Sequence, residues 1–305
     1  MIKSPRLVLA LLVSALALPL VGSTASGAAA TPTCVVSLSP SATETLFAIG
    51  AGHQVQAVDK DSNFPPTGLP TKRIDSLNPN VESIIGICKR TASHPSTKPD
   101  LVVISYDANS IKAKLTAVGV KVVEMDAPTT FAAALSQIVR LGRMTGHSTA
   151  ATQLARGLDA SLKSIVRSIP AHPGKTLTAY YELDPTFYSL TSRTFVGSLL
   201  KDLGVVNVAD AKGTSADTGY PQLSAEYVVS ANPKLIFLAD SICCHASPST
   251  VAKRPGFSKI AAIRGGEVIS LSDDVASRWG PRLEILLHEM ATAVKGALRN
   301  HALWN

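Results

Sequence analysis

The chain has 305 residues, 46% of them hydrophobic and 17% charged, which is enough apolar material for a large core and for two domains of about 150 residues each. This composition excludes a disordered chain, and the lack of Gly-x-y or heptad repeats excludes a fibrous one. Basic residues outnumber acidic ones by 29 to 22, yet Lys and Arg form no run of the kind that grips nucleic acid, so no nucleic-acid partner is expected.

Lys3 and Arg6 lead into an apolar run, Leu7 to Val21. Its 15 residues fall short of the ~20 that a helix needs to cross a bilayer. Small residues follow, and Ala28-Ala29-Ala30 fits a cleavage site. Together these mark residues 1–30 as a secretory signal peptide. The mature chain is expected to start near Thr31 and to be exported to the periplasm or the outer face of the cytoplasmic membrane. With no cysteine at the cleavage site, it is expected to be soluble and without a lipid anchor. It keeps 27 basic and 22 acidic residues, a bias compatible with an anionic small ligand. Export makes disulfides possible for Cys34, Cys88, Cys243 and Cys244. Four cysteines allow three connectivities, which stay open here. The adjacent Cys243 and Cys244 are expected to pair elsewhere or stay reduced, because a bridge between neighbours is strained.

Val35 to Leu38 reads as a buried strand. A helix is expected from Ser41, with Glu44 completing a capping box, and it ends at Gly50. Val55 to Val58 is the next strand, followed by a Pro-rich loop from Asp61 to Pro70. Val81 to Ile85 is a short helix, Leu101 to Ser105 a strand, Ile111 to Val118 a helix, and Lys121 to Met125 a fourth strand. This alternation implies a parallel sheet covered on both faces. Thr130 to Thr145 and His147 to Ile169 carry no strand signal. The second stretch has one apolar stripe, through Leu154, Leu158, Leu162, Ile165, Val166 and Ile169, and is a helix. Strands and helices then resume: Leu177 to Tyr181, Phe195 to Leu203, Leu235 to Ala239, Glu267 to Leu271, and a last helix from Pro281 to Leu298.

The two halves repeat. Val81-Glu82-Ser83-Ile84-Ile85 precedes Lys98-Pro99-Asp100-Leu101-Val102, and Ala225-Glu226-Tyr227-Val228-Val229 precedes Asn232-Pro233-Lys234-Leu235-Ile236. Each is a short helix with a leading Glu, a Pro turn and a buried strand. The first copy is ten residues longer, and the polar stretch Cys88 to Thr97 reads as a surface insertion.

These pieces, together with Val36-Ser37-Leu38-Ser39-Pro40-Ser41-Ala42-Thr43-Glu44, Leu223-Ser224-Ala225-Glu226 and Ser277-Arg278-Trp279-Gly280-Pro281-Arg282, resemble the substrate-binding proteins of ABC importers, in the branch that takes up iron chelates, haem and cobalamin. The resemblance spans residues 34–300. It implies an α/β fold of two Rossmann-like lobes, 34–146 and 171–305, joined by a single long helix, 147–170, with the ligand cleft between the lobes. It also implies a monomer that meets a membrane permease dimer through one surface Glu per lobe, here Glu82 and Glu226.

In open α/β sheets, ligands bind beyond the carboxyl ends of the strands. This selects the loops Ser39–Thr43, Lys60–Phe64, Ser105–Asp107, Glu182–Tyr188, Asp240–His245 and Ser272–Trp279. The expected ligand contacts are Ser41, Phe64, Tyr106, Tyr181, Asp274, Arg278 and Trp279, with Arg278 offering its donor fork to a carboxylate or an oxygen-rich chelate. No permanent cofactor is expected. A cleft poor in aromatics favours an iron-siderophore complex over cobalamin, and haem would take Tyr106, Tyr181 or His245 as axial ligand.

Enzyme motifs fare poorly. His288-Glu289-Met290-Ala291-Thr292 lacks the second His of a zinc protease. Gly50-Ala51-Gly52 follows a helix, not a strand, and neither a G-x-S-x-G nor a P-loop is present. The seven His show no ligand spacing. Cys243-Cys244-His245 supports the competing reading, an exported thiol or metal enzyme, although a loop tied by a disulfide is the plainer expectation. A binding protein retooled as a surface sensor is a third reading.

Overall fold

The computed structural model describes Met1 and residues 31–92, 94–214 and 218–304. The expected signal peptide otherwise lies outside these residues. The first sheet comprises β1 (Val35–Leu38), β2 (Val55–Asp59), β3 (Arg73–Ile74), β4 (Leu101–Ile104) and β5 (Val122–Glu124), in the order β3-β2-β1-β4-β5. Helices α1 (Pro40–Ala48), α2 (Val81–Ile85) and α3 (Ile111–Ala117) alternate with its strands. The hairpin of α4 (Phe131–Thr145) and α5 (Ser148–Arg167) follows. The second sheet comprises β6 (Thr178–Glu182), β7 (Val206–Asn207), β8 (Leu235–Leu238) and β9 (Val268–Ser270), in the order β7-β6-β8-β9. Its helices are α6 (Phe195–Asp202), α7 (Ala225–Ala231), α8 (Pro248–Ala252), α9 (Ala261–Gly265), α10 (Asp273–Ala276) and α11 (Leu283–Arg299). Every strand pairing in both sheets is parallel.

The inner strands are buried on both faces, as parallel strands between helices must be. Successive side chains point to opposite faces. In β4, Leu101 and Val103 therefore join one core, while Val102 and Ile104 join another under α2 and α3. In β8, Leu235 and Phe237 face the first of these cores, and Ile236 and Leu238 a third one near α7 and α8. The first core is common to both sheets and takes in α4, α5 and α11. At 20 residues, α5 runs about 30 Å. Gly146 turns the α4–α5 corner with a φ of 80°, a left-handed conformation that glycine adopts without penalty. Gly142 lets α5 approach closely: a Cβ there would lie 2.2 Å from the Ala151 Cβ.

The expected elements differ from the observed ones at informative places. The first helix starts at Pro40, not Ser41, and Ser39 is its cap, accepting from the Ala42 N–H. Proline suits that first position, where no N–H is needed. Glu44 therefore completes no capping box. The edge strands β3 and β7, two residues each, carry too little pattern to read from sequence. Cys34 pairs with Cys88, while Cys243 and Cys244 are free and exposed. The 240–245 loop is thus not tied by a disulfide. The Cys34–Cys88 bridge instead anchors the start of the 88–97 insertion beside β1, and the Cys88 N–H bonds to the Thr97 carbonyl at its far end, 3.1 Å away.

Candidate functional site

Two adjoining cavities open at the carboxyl ends of the strands. One, about 360 Å³, is lined by Ser39, Ser41, Asp61 and Ser105 from the first-sheet side and by Asp273, Asp274, Ser277, Arg278 and Trp279 from the other. The second, about 400 Å³, continues from the same Asp273, Ser277, Arg278 and Trp279 to Leu183, Leu190, Phe195, Val196, Tyr220, Ala239 and Cys243. All six loops selected by the strand-end rule contribute to one cavity or the other.

The structure brings Ser41, Asp274, Arg278 and Trp279 together. The Trp279 N–H bonds to the Ser41 hydroxyl at 3.2 Å. Arg278 is nearly buried, and protein acceptors already occupy its fork. One terminal nitrogen donates to Glu44 at 2.8 Å and Asn63 at 2.7 Å, the other to the Asp61 carbonyl at 2.8 Å and Asp274 at 2.6 Å. The expectation that this fork faces a ligand is corrected accordingly: Arg278 ties the 274–282 segment to the loops of the first sheet. Arg282 reinforces the tie, its Nε 3.0 Å and a terminal nitrogen 2.5 Å from the Glu44 carboxylate. The Asn63 amide closes the network by donating to Asp274 at 2.7 Å.

The other expected contacts are less central. Phe64 lies under the Arg282 guanidinium, 4.6 Å from its ring centre. Tyr106 follows the cavity-lining Ser105 but is itself 66% exposed. Tyr181 does not reach the cleft at all. It is fully buried against Phe237, its hydroxyl has no partner, and burial raises its pKa. It points inward because alternation along β6 sends it to the shared core. Sequence reasoning missed Tyr220 and Phe195, which no motif marks, and Glu44, which had been assigned to helix capping.

Asp273 joins two of the loops. Its carboxylate accepts from the N–H groups of Ile242 and Cys243 at 3.0 and 2.8 Å and from the Ser241 hydroxyl at 3.2 Å. Burial raises its pKa, but these bonds outweigh the effect and hold it below the usual carboxylate value. Hydrogen bonding to Cys244, then burial and Asp273, push the Cys243 thiol up to about 12. A thiol held protonated is a poor nucleophile. Beneath this loop lies a buried charge cluster. Glu182, fully buried, takes a bidentate pair from Arg254 at 2.6 and 2.7 Å. Asp240 is buried beside them with no hydrogen-bond donor on either oxygen.

Glu82 and Glu226 are both exposed and hold the same place, second in α2 and in α7, after the caps Asn80 and Ser224. The strands that follow, β4 and β8, each lie between the first strand of their sheet and its edge strand.

Comparison with known proteins agrees with this architecture. An ABC transporter substrate-binding lipoprotein of Bacillus subtilis is 30% identical over 272 residues, 86% of this chain and 80% of its own. A cobalamin-binding protein of Halobacterium salinarum is 26% identical over 273 residues, 86% of this chain and 69% of its own. Among solved structures, a possible iron-binding periplasmic protein of Staphylococcus epidermidis superimposes with a TM-score of 0.73 at 24% identity, over 87% of this chain and 99% of that one. The periplasmic binding protein profile matches residues 35–275, and the chain belongs to the periplasmic binding protein family.

Proposed function

We propose that the mature chain is an exported binding subunit that captures a corrinoid of the cobalamin class and hands it to an ABC importer. The observation that carries the ligand class is the charge of the cleft. Among the described lining residues, Asp61, Asp273 and Asp274 are acidic, and the one cation, Arg278, is neutralised by Glu44 and Asp274. Burying an anion there would leave its charge uncompensated, which is costly. An anionic carboxylate or catecholate chelate of iron is therefore disfavoured, and among uncharged ligands we favour a corrinoid over the iron-siderophore complex expected from sequence. A neutral ligand with an apolar body and an amide fringe suits one apolar and one polar cavity. The names of the Halobacterium relative and of several vitamin B12-binding relatives run in the same direction.

Delivery rests on Glu82 and Glu226. A carboxylate in a first helical turn is locally favoured, but that does not require matched positions on both lobes, whereas a two-fold permease does. Attachment by lipid is not proposed: Cys34, the first cysteine, has its sulfur in a disulfide. The thiol-enzyme reading weakens because the Cys243 thiol is held protonated.

The test is a fluorescence titration of the mature protein with cyanocobalamin, haem, a ferric hydroxamate and a ferric catecholate. Cyanocobalamin should quench at micromolar concentration or below and the catecholate should not. Binding of the anionic chelate alone would refute the ligand class.

A further inference from the structure

Cys243 and Cys244 are neighbours in the sequence, both exposed and both free, although Cys34 and Cys88 are joined in the same chain. The Cys243 thiol is hydrogen-bonded to the Cys244 sulfur, so the two sulfurs already lie side by side. Cys243 lines the apolar cavity, and so does Asp273, whose carboxylate accepts from the Ile242 and Cys243 N–H groups at 3.0 and 2.8 Å. The next ties of the loop run to the Asp240 carbonyl, from the Cys244 N–H at 3.2 Å and the Ala246 N–H at 3.3 Å. Both thiols thus rise from backbone whose N–H groups are pinned.

We propose that Cys243 and Cys244 form a reversible dithiol–disulfide switch whose closure loosens the 240–246 loop and weakens ligand capture. The ligand readout rests on the corrinoid reading above; the chemistry of the pair does not. The oxidant is a small disulfide such as oxidised glutathione. Because the Cys243 thiol is held protonated, Cys244 supplies the attacking thiolate. It breaks the S–S bond of the oxidant, forms a mixed disulfide and releases one thiol, which takes the Cys244 proton. The Cys243 sulfur then attacks the Cys244 sulfur, the mixed disulfide breaks, and the Cys243 proton goes to the departing second thiolate. Two protein thiols are oxidised and one external disulfide is reduced to two thiols.

Consecutive Cα atoms are about 3.8 Å apart, closer than the roughly 4.4–6.8 Å of ordinary disulfides. The bridge therefore forms only if the backbone around the Cys243–Cys244 peptide rotates. That rotation pulls on the N–H groups that Asp273 and Asp240 hold, and Asp273 lines both cavities. Strain and exposure make such a bridge easy to reduce. It opens again in mild reductant, which leaves the buried Cys34–Cys88 bridge joined.

The experiment equilibrates the mature protein in glutathione buffers of rising oxidised fraction, alkylates free thiols and maps the peptides by mass spectrometry. Hydrogen exchange across 241–246 and fluorescence titration with cyanocobalamin are recorded on the same samples. The peptide holding Cys243 and Cys244 should lose two hydrogens without an adduct. The amides of Ile242, Cys243 and Cys244 should exchange about tenfold faster, and cyanocobalamin affinity should fall about tenfold. Mild reductant should restore all three. Cys243→Ser with Cys244→Ser should exchange and bind in every buffer as the reduced native protein does. Full alkylation of the pair in the most oxidised buffer, a glutathione adduct as the end product, or a closed bridge with unchanged exchange or affinity would overturn the proposal. Reduced protein that binds no cyanocobalamin would instead remove the corrinoid reading, and the mass and exchange readouts would still decide the switch.

Discussion

Glu44 and Arg278 are 234 residues apart in the chain, and their side chains meet at 2.8 Å in a site where both are almost wholly buried. One carboxylate from the first helix holds two guanidinium groups from the last part of the chain, because Arg282 shares it. Gly280, between the two arginines, sits close against the first helix: a Cβ there would lie 3.2 Å from the Ser41 carbonyl. The cavity-lining Trp279 is therefore set by a charge network and not by packing alone.

Removing one partner of a buried ion pair leaves the other uncompensated and typically costs about 3–5 kcal/mol. Glu44→Ala should therefore lower stability by that order, read as a fall in the urea midpoint. Arg278→Lys should recover little of what Arg278→Ala loses, because a single ammonium cannot reproduce a fork bonded to four acceptors.

The Cys34–Cys88 bridge closes a 54-residue separation, and its loss should cost roughly 2–4 kcal/mol. Cys34→Ser with Cys88→Ser should lower the melting temperature accordingly. A thiol titration should count two reactive groups in the native protein, Cys243 and Cys244, and four after unfolding in reductant. A native count of zero would mean that the adjacent pair is oxidised.

Asp240 sets a pH dependence of known sign. Burial first, then the charge of Glu182, raise its pKa to about 7, against the partial relief given by Arg254. Between about pH 4 and pH 7 the folded state binds more protons than the unfolded state, so this group makes stability fall as pH rises through that window. Tyr180, whose hydroxyl is buried nearby without a partner, stays neutral throughout. Asp240→Asn should be more stable than the native protein at pH 8 and show a flatter profile from pH 5 to pH 8 in urea unfolding. An unchanged slope would contradict the assignment.

Glu82→Ala with Glu226→Ala should leave folding and ligand affinity close to native while abolishing uptake in cells that depend on the importer. Normal uptake at normal expression would place docking elsewhere.

The sheets and the long helix were legible because their signals are local. Val35 to Leu38, Leu101 to Ile104 and Leu235 to Leu238 are short apolar runs bounded by turns, and the expected helix from His147 to Ile169 matches Ser148–Arg167 to within two residues at either end. The repeated helix–turn–strand unit was legible for the same reason. The cleft was legible as a set of loops, but not in the roles of its residues. Nothing near Glu44 announces arginines more than 230 positions away, nothing beside Tyr181 says which face of β6 it takes, and cysteine pairing depends on proximity in space. Arg278 was read as a free fork because only the folded chain shows its acceptors.

The central claim, a corrinoid held in the cleft that Trp279 lines, is tested most directly by calorimetric titration of cyanocobalamin into three forms of the mature protein: native, Trp279→Ala and Trp304→Ala. Trp304 packs with Lys175 and Lys234 near the carboxyl end of the chain and lines neither cavity. The account predicts one site per chain, a loss of affinity of about tenfold or more for Trp279→Ala, and native affinity for Trp304→Ala. No heat of binding with the native protein, or equal affinity in all three forms, would contradict it.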